Sequence, residues 1–446
     1  MQGPVSDERN GRRKLVQDAR RLSDVELKQD RVRQLLAQHQ ADGLLLQDPS
    51  NIAWFTAGAD LSRCASDSCL TSVFVTEDAR LFATNAVDSA HVFEREAFGL
   101  GFQLKQREWF QPHKLLIEDL CRGRRVLSDS GCSDTQCVRD ELTSLRLPLT
   151  ILETERLRRL SRVVVHAVEA TARNLRSGVT EAALAGEVSH RLVKRTVTPV
   201  RIQVCADGRN RRYRHWSFGE DPVAEYVSIS CVARRWGLHV GVTRTVSLNE
   251  IPAELLDAHQ RAALIHATGM FFSRAHQPIH EIWPKVHRIY EKFGMENEWQ
   301  LADQADVVGY GTSEVRFLPQ SEYVLEPPLP VFWHPTVGPA MLGDTTLVTE
   351  TGVERLTPCQ TGWPELNVRV KGREISCAGI LRVRDIDAGS TTRTEHQPQS
   401  SFARIALSDD PHDLTRMDSI WELDLESEQS VLDEQDSPYS EESVLD

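Results

Sequence analysis

The sequence predicts an α/β domain over residues 27–150 and an α+β domain over residues 151–384, with a charged extension (1–26) in front and an acidic disordered tail (385–446) behind. Three observations predict it. Strand-like and helix-like segments alternate between 43 and 145, as in an α/β layer. Two pairs of long helices follow, each succeeded by strand-like runs, around a hairpin at 226–248. Past Arg384 the composition turns to Ser, Asp, Glu and Gln, with too little apolar content to offset the entropy of ordering.

Composition bounds the function. The chain has 446 residues and 40% hydrophobic content, ample for a buried core. The net charge of −13 misleads, because residues 385–446 hold 17 acidic side chains against 3 Arg, which leaves the body near +1. That balance gives no electrostatic reason to expect nucleic acid. The nine cysteines are odd in number and scattered, without a His or second Cys pair at zinc-finger spacing, which fits reduced thiols in the cytoplasm. The first twenty residues lack an apolar signal region, and no run reaches the ~18 apolar residues of a membrane span. A soluble, cytoplasmic protein without membrane contact is expected.

A helix over 27–40 leads to a strand at 43–46. Asp48-Pro49-Ser50-Asn51 then reads as a turn between two apolar strands. A hairpin at 72–76 and 80–84 follows, then strands at 101–105 and 125–128 alternating with helices at 112–121 and 135–145. In the second domain a long amphipathic helix covers 152–177. It stops at Gly178, and Thr180-Glu181 caps the next helix, through 193. In the hairpin, 227–233 and 238–246 alternate and are rich in β-branched residues. Helices at 253–274 and 281–293 and short strands at 306–357 complete the body. An island at 417–425, MDSIWELDL, is a candidate docking motif for a protein partner of the tail.

Several of these stretches resemble the aminopeptidase P/creatinase family, whose catalytic domain is the pita-bread fold. Asp48-Pro49-Ser50-Asn51-Ile52-Ala53-Trp54-Phe55-Thr56 is similar to the signature of that family's N-terminal domain. Gly178-Val179-Thr180-Glu181 resembles its opening helix junction, Thr243-Arg244-Thr245 its metal-bearing hairpin, and Asp344-Thr345 its closing strand. Arg212-Tyr213-Arg214-His215 and Cys231-Val232-Ala233-Arg234-Arg235 are similar to an Xaa-Pro aminopeptidase-like branch that lacks the metal ligands. The family's five ligands are two Asp, one His and two Glu, which hold paired ions that activate a water. The resemblance maps them onto Ser230, Gly241, Tyr310, His334 and Gly343, none of which is the expected ligand. No metal and no other cofactor is therefore expected.

His215 lies close to where the family has a pocket histidine ahead of its first aspartate. The resemblance makes it a candidate acid/base, because imidazole titrates near neutrality. A histidine packed in a groove without chemistry is the plainer reading. Arg211, Arg214, Arg244, Tyr310 and His334 are the candidate substrate-binding residues, the arginines as a clamp for a carboxylate. A single metal site built from His215, His239 and His334 is a lesser candidate. Two functions remain open: a metal-independent peptidase or C–N hydrolase, and an inactive relative that binds a small molecule, a short peptide or a partner protein. The resemblance also implies a homodimer.

Overall fold

The computed structural model describes residues 18–61 and 71–384; the acidic tail with its 417–425 island and most of the N-terminal extension lie outside the described residues. The first helix, Ala19–His39, starts well before the expected 27. Asp18 caps it, its Oδ1 accepting the amides of Arg20 and Arg21 at 3.1 Å. Its buried face includes Asp24, Lys28 and Gln29, so an apolar period could not reveal where it begins.

Six strands form the first sheet, in the order Gln103–Arg107, Arg80–Asn85, Ser72–Val75, Gly43–Leu46, Val126–Ser128, Gln136–Cys137. The stretch read as a turn between strands is instead a short helix, Pro49–Phe55. Asp48 caps it by accepting the Ser50 amide, and Pro49 sits where a missing N–H costs nothing. Asn51 shows why this stretch needs its residue types. Its side-chain amide donates to Asp129 at 3.0 Å, and its oxygen accepts from Arg146, which also pairs with Glu314 of the second unit.

The second sheet has nine strands. Its main path runs Val315–Arg316, Ala305–Val307, Leu329–Trp333, Gly343–Thr349, Leu238–Leu248, Tyr226–Arg235, Thr198–Ala206, with Gly352–Arg355 and Ile380–Val383 paired off it. The central hairpin turns at Trp236 and Gly237, both left-handed (φ 54° and 77°), as a two-residue hairpin loop requires. Its register sets Ser230 opposite Thr243 and Val232 opposite Gly241. The helices Ile151–Arg173 and Glu181–Val193 share one core with the hairpin, and Ala253–Phe272 and Ile279–Lys292 share another with the strands at 305–348. This is the pita-bread architecture expected.

Lys28 locks the two units together. It is fully buried and pairs with Asp24 at 2.6 Å and with Glu153 at 2.5 Å. Glu153 meanwhile completes a capping box with Thr150 at the start of the long helix. Among the described residues no helix is long and apolar enough to cross a membrane.

Candidate functional site

Strand alternation divides the signature residues between two faces of the second sheet. On the back face Arg244 is fully buried. It pairs with Glu169 at 2.9 Å and Asp344 at 3.0 Å, and donates to the Thr357 carbonyl at 2.8 Å. Burial pushes the Asp344 carboxyl up, but Arg355 and Arg244 outweigh it and hold the group below the usual carboxylate range. Arg244, expected to bind substrate, is sealed among its own partners. Its burial is structural.

The front face carries the positions to which the resemblance assigns metal ligands. Ser230 and Thr243 hydrogen-bond to each other at 2.9 Å. Gly241 binds Thr345 through both backbone groups, its N–H donating at 3.0 Å and its carbonyl accepting at 2.7 Å. The ring of Phe332 lies over these glycines. A Cβ on Gly241 would sit 2.6 Å from two of its carbons, and one on Gly343 would sit 3.1 Å from the ring and 2.5 Å from Thr243 Oγ1. Phe332 is 1% exposed and clusters with Val232 and Val308. An apolar plug stands against two of the five ligand positions, and none of the five is a carboxylate.

Beside the plug the structure gathers His215, Arg214 and His334 around a cavity of about 20 Å³ lined also by Ser230, Thr243 and Asp303. His334 Nε2 is 3.2 Å from Asp306 Oδ2 and 3.9 Å from Asp303, and His215 Nε2 is 3.4 Å from Asp303 Oδ1. Burial raises the Asp306 carboxyl, but His334, Ser313 and Arg201 outweigh it and leave its pKa lowered. Asp303, Asp306 and His334 bring their donor atoms within 4.8 Å of one another, the one such group among the described residues that could hold a cation. Neither aspartate was singled out from the sequence, since neither lies in a recognisable motif. His215 is largely exposed, at 64% of its side chain. Arg214 is occupied by Glu298 at 2.8 Å and Thr336 at 3.0 Å.

The remaining candidates sit elsewhere. Arg211 pairs with Glu254 at 2.7 Å on the surface. Tyr310 points into the junction between the units, its hydroxyl donating to Glu153 at 2.6 Å, and burial and that carboxylate push the phenol well above its ordinary pKa. His239 meets the Gly309 carbonyl and lines the same side as Tyr310. It therefore joins neither His215 nor His334, and the three-histidine metal site is not assembled. A larger cleft of about 810 Å³ opens between the two units, lined by Arg21, Arg156, Arg235, Trp236 and Tyr310 among others. Its lining includes Asp48, Pro49, Ser50, Arg234, Arg235 and Tyr310, all in stretches singled out from the sequence, but the cleft itself forms only when these distant segments meet.

Residues 155–350 match metallopeptidase family M24. No curated protein sequence matches the chain. Among solved structures it is similar to the Xaa-Pro dipeptidase of Bacillus anthracis, at 18% identity and a TM-score of 0.64 over 75% of this chain and 99% of that one. The X-Pro aminopeptidase of Thermotoga maritima gives 15% identity and 0.64 over 80% and 99%. Dipeptidase PepE of Mycobacterium ulcerans gives 14% and 0.65 over 83% and 100%. At these identities the likeness is one of fold.

Proposed function

We propose that this chain, whose residues 155–350 match metallopeptidase family M24, keeps the aminopeptidase-like hydrolase scaffold without paired metal ions and acts as a ligand- or partner-binding protein. The observation that carries this reading is the Phe332 ring packed against Gly241 and Gly343. Two divalent cations need several anionic oxygen donors, which also offset the cost of stripping water from the ions. Ser230, Gly241, Tyr310, His334 and Gly343 supply one imidazole and two hydroxyls, and the imidazole already faces Asp306. The donor set does not fit the metals that the family name implies. Metal content decides it: after incubation with manganese, cobalt or zinc and desalting, the protein should carry no stoichiometric metal. Bound metal that Asp306→Asn removes would overturn the reading in favour of a relocated site.

The contact of His215 with Asp303 favours a second reading, hydrolysis of a small C–N bond without metal. There a carboxylate would orient the imidazole, as acid/base catalysis needs. Arg211 and Arg214 would anchor a substrate carboxylate, although both now have protein partners. The cavity beside His215, about 20 Å³, has room for a water and not for a substrate, which counts against this second reading. A substrate screen should find no turnover under the first reading; under the second it should find turnover that His215→Ala abolishes. A homodimer and a cytoplasmic location belong to the same proposal, and light scattering on the purified chain checks the former. A tail partner is tested by deleting residues 385–446, which should remove specific pull-down partners.

A further inference from the structure

The first sheet ends on an open edge. Gln103–Arg107 pairs in parallel with Arg80–Asn85 on one side, and among the described residues no strand pairs with it on the other. Gln103, Leu104, Lys105 and Gln106 are all exposed. The Arg107 carbonyl accepts the Ala86 amide at 2.8 Å. By ladder alternation Gln103, Lys105 and Arg107 therefore bond inward, and Leu104 and Gln106 turn their N–H and C=O groups outward. Phe102 stacks on Phe82 at 4.4 Å, which places Leu104 on the sheet face that carries the larger core. Lys105 and Arg107 lie on the other face, where Arg107 pairs with Asp119 yet stays 31% exposed. The strand carries two positive charges and no carboxylate. Of the nearby acids, Glu118 faces Lys114 at 3.5 Å, Asp119 is shared by Arg107 and Arg122, and Glu108 lies one residue past the strand. Trp109 and Phe110 follow, 69% and 67% exposed, their rings edge to face at 5.9 Å.

An exposed, unpaired edge is a template for another strand. Two copies of this one meet badly: in an antiparallel pairing about its centre, Lys105 would face Lys105, and like charges directly opposite destabilise. An acidic strand fits better. Residues 417–425, outside the described residues, read MDSIWELDL, in which Trp421, Leu423 and Leu425 alternate with Glu422 and Asp424. The two acids are two positions apart, as Lys105 and Arg107 are. In either strand direction both acids can face both cations while the apolar residues lie on the side of Leu104. The 32 residues from 385 to 416 reach about 100 Å when extended, against roughly 50 Å across a body of the described size.

We propose that residues 419–425 of the acidic tail add as a strand to the outer edge of Gln103–Arg107, with Glu422 and Asp424 against Lys105 and Arg107. Backbone hydrogen bonds hold the segment, and its alternating side chains select the edge. Tethering gives it an effective concentration on the order of 1 mM, so a Kd of about 0.1 mM leaves the edge roughly nine-tenths occupied. The edge belongs to the first unit, so the proposal stands apart from what the second sheet binds.

The test follows deuterium uptake of the full chain by mass spectrometry, on peptides that cover 103–110. The outward amides of Leu104 and Gln106 should exchange roughly tenfold more slowly than an unpaired edge, the protection that nine-tenths occupancy gives. Trp421→Ala and Lys105→Glu should each return them to near the unpaired rate, while the opposite edge, Gln136–Cys137, exchanges as in the parent. Neither variant touches a buried side chain of the first sheet, so both fold. Release by both variants supports the proposal. Exchange at the unpaired rate in the parent overturns it, as does slow exchange that either variant leaves unchanged. Protection that grows with protein concentration and survives Trp421→Ala overturns it in favour of a second copy on this edge.

Discussion

Gly241 and Phe332 give the sharpest test of how the front face is filled. Gly241 sits in the hairpin ladder with a backbone that any residue can adopt, so Gly241→Ala introduces only a methyl group. That methyl would lie 2.6 Å from two ring carbons of Phe332, far inside van der Waals contact. Overpacking of this kind costs about 1–3 kcal/mol. Phe332→Ala alone should cost about 3–5 kcal/mol, the usual range for emptying a buried phenyl site. With the ring gone, the methyl at 241 enters free space and restricts the unfolded chain, so Gly241→Ala should turn neutral or stabilise by about 0.4–1 kcal/mol. The double-mutant cycle should therefore show coupling of about 1–3 kcal/mol with this change of sign. Urea unfolding followed by circular dichroism and Trp fluorescence measures all four corners. If Gly241→Ala destabilises both backgrounds equally, the ring is not what forbids a side chain at 241.

Three further outcomes are expected. His259 and His266 are fully buried, and burial lowers both from 6.5 to about 4. Their folded pKa lies below the unfolded one, so the stability they contribute is complete above pH 6.5 and drains as pH falls towards 4. Between pH 7 and 5 each should cost about 2 kcal/mol of unfolding free energy, and Asp344, also lowered, adds its loss only at more acid pH. A flat stability profile over that interval, or one unchanged by His266→Gln, would contradict this. Arg244→Met should destabilise by about 3–5 kcal/mol, because Glu169 and Asp344 lose a shared buried partner; a loss under ~1 kcal/mol in urea would refute the back-face account. Lys28→Met should raise hydrogen exchange in both Ala19–His39 and Ile151–Arg173, since Asp24 and Glu153 would face each other without a cation. Exchange raised in the first helix alone would show that Lys28 does not tie the units together.

The elements most legible in the sequence are those whose signal is local. Thr180 before Glu181 was readable as a cap because its hydroxyl meets the Ala183 amide three residues on. The hairpin was readable from alternation and the Trp236-Gly237 turn. Asp48-Pro49-Ser50 misled, since the residues that start a turn also start a helix, and burial of Asn51–Phe55 on every side removed the period that separates them. The strand Thr198–Ala206 gave little warning: Pro199 argues against a strand, and a register shift at 199/201 accommodates it. Phe332 was illegible for a different reason. A Phe in an apolar strand is ordinary, and it acquires meaning only when pairing sets it beside glycines roughly ninety residues before it and eleven after.

The same alternation separates the residues that carry the resemblance from the positions to which it assigns metal ligands. In Thr243-Arg244-Thr245 and Asp344-Thr345 the retained charged residues, Arg244 and Asp344, point to the back and pair with each other, with Glu169 and with Arg355. Losing one of them would strand a buried charge, so the fold itself demands them. The front-face positions 230, 241 and 343 bear no such constraint. Ser230 is held there by Thr243, and the Phe332 ring fills the space over Gly241 and Gly343. Recognition through these strands therefore reads the side of the sheet that holds the fold together. The side that would carry the reaction has to be read from packing, one side chain at a time.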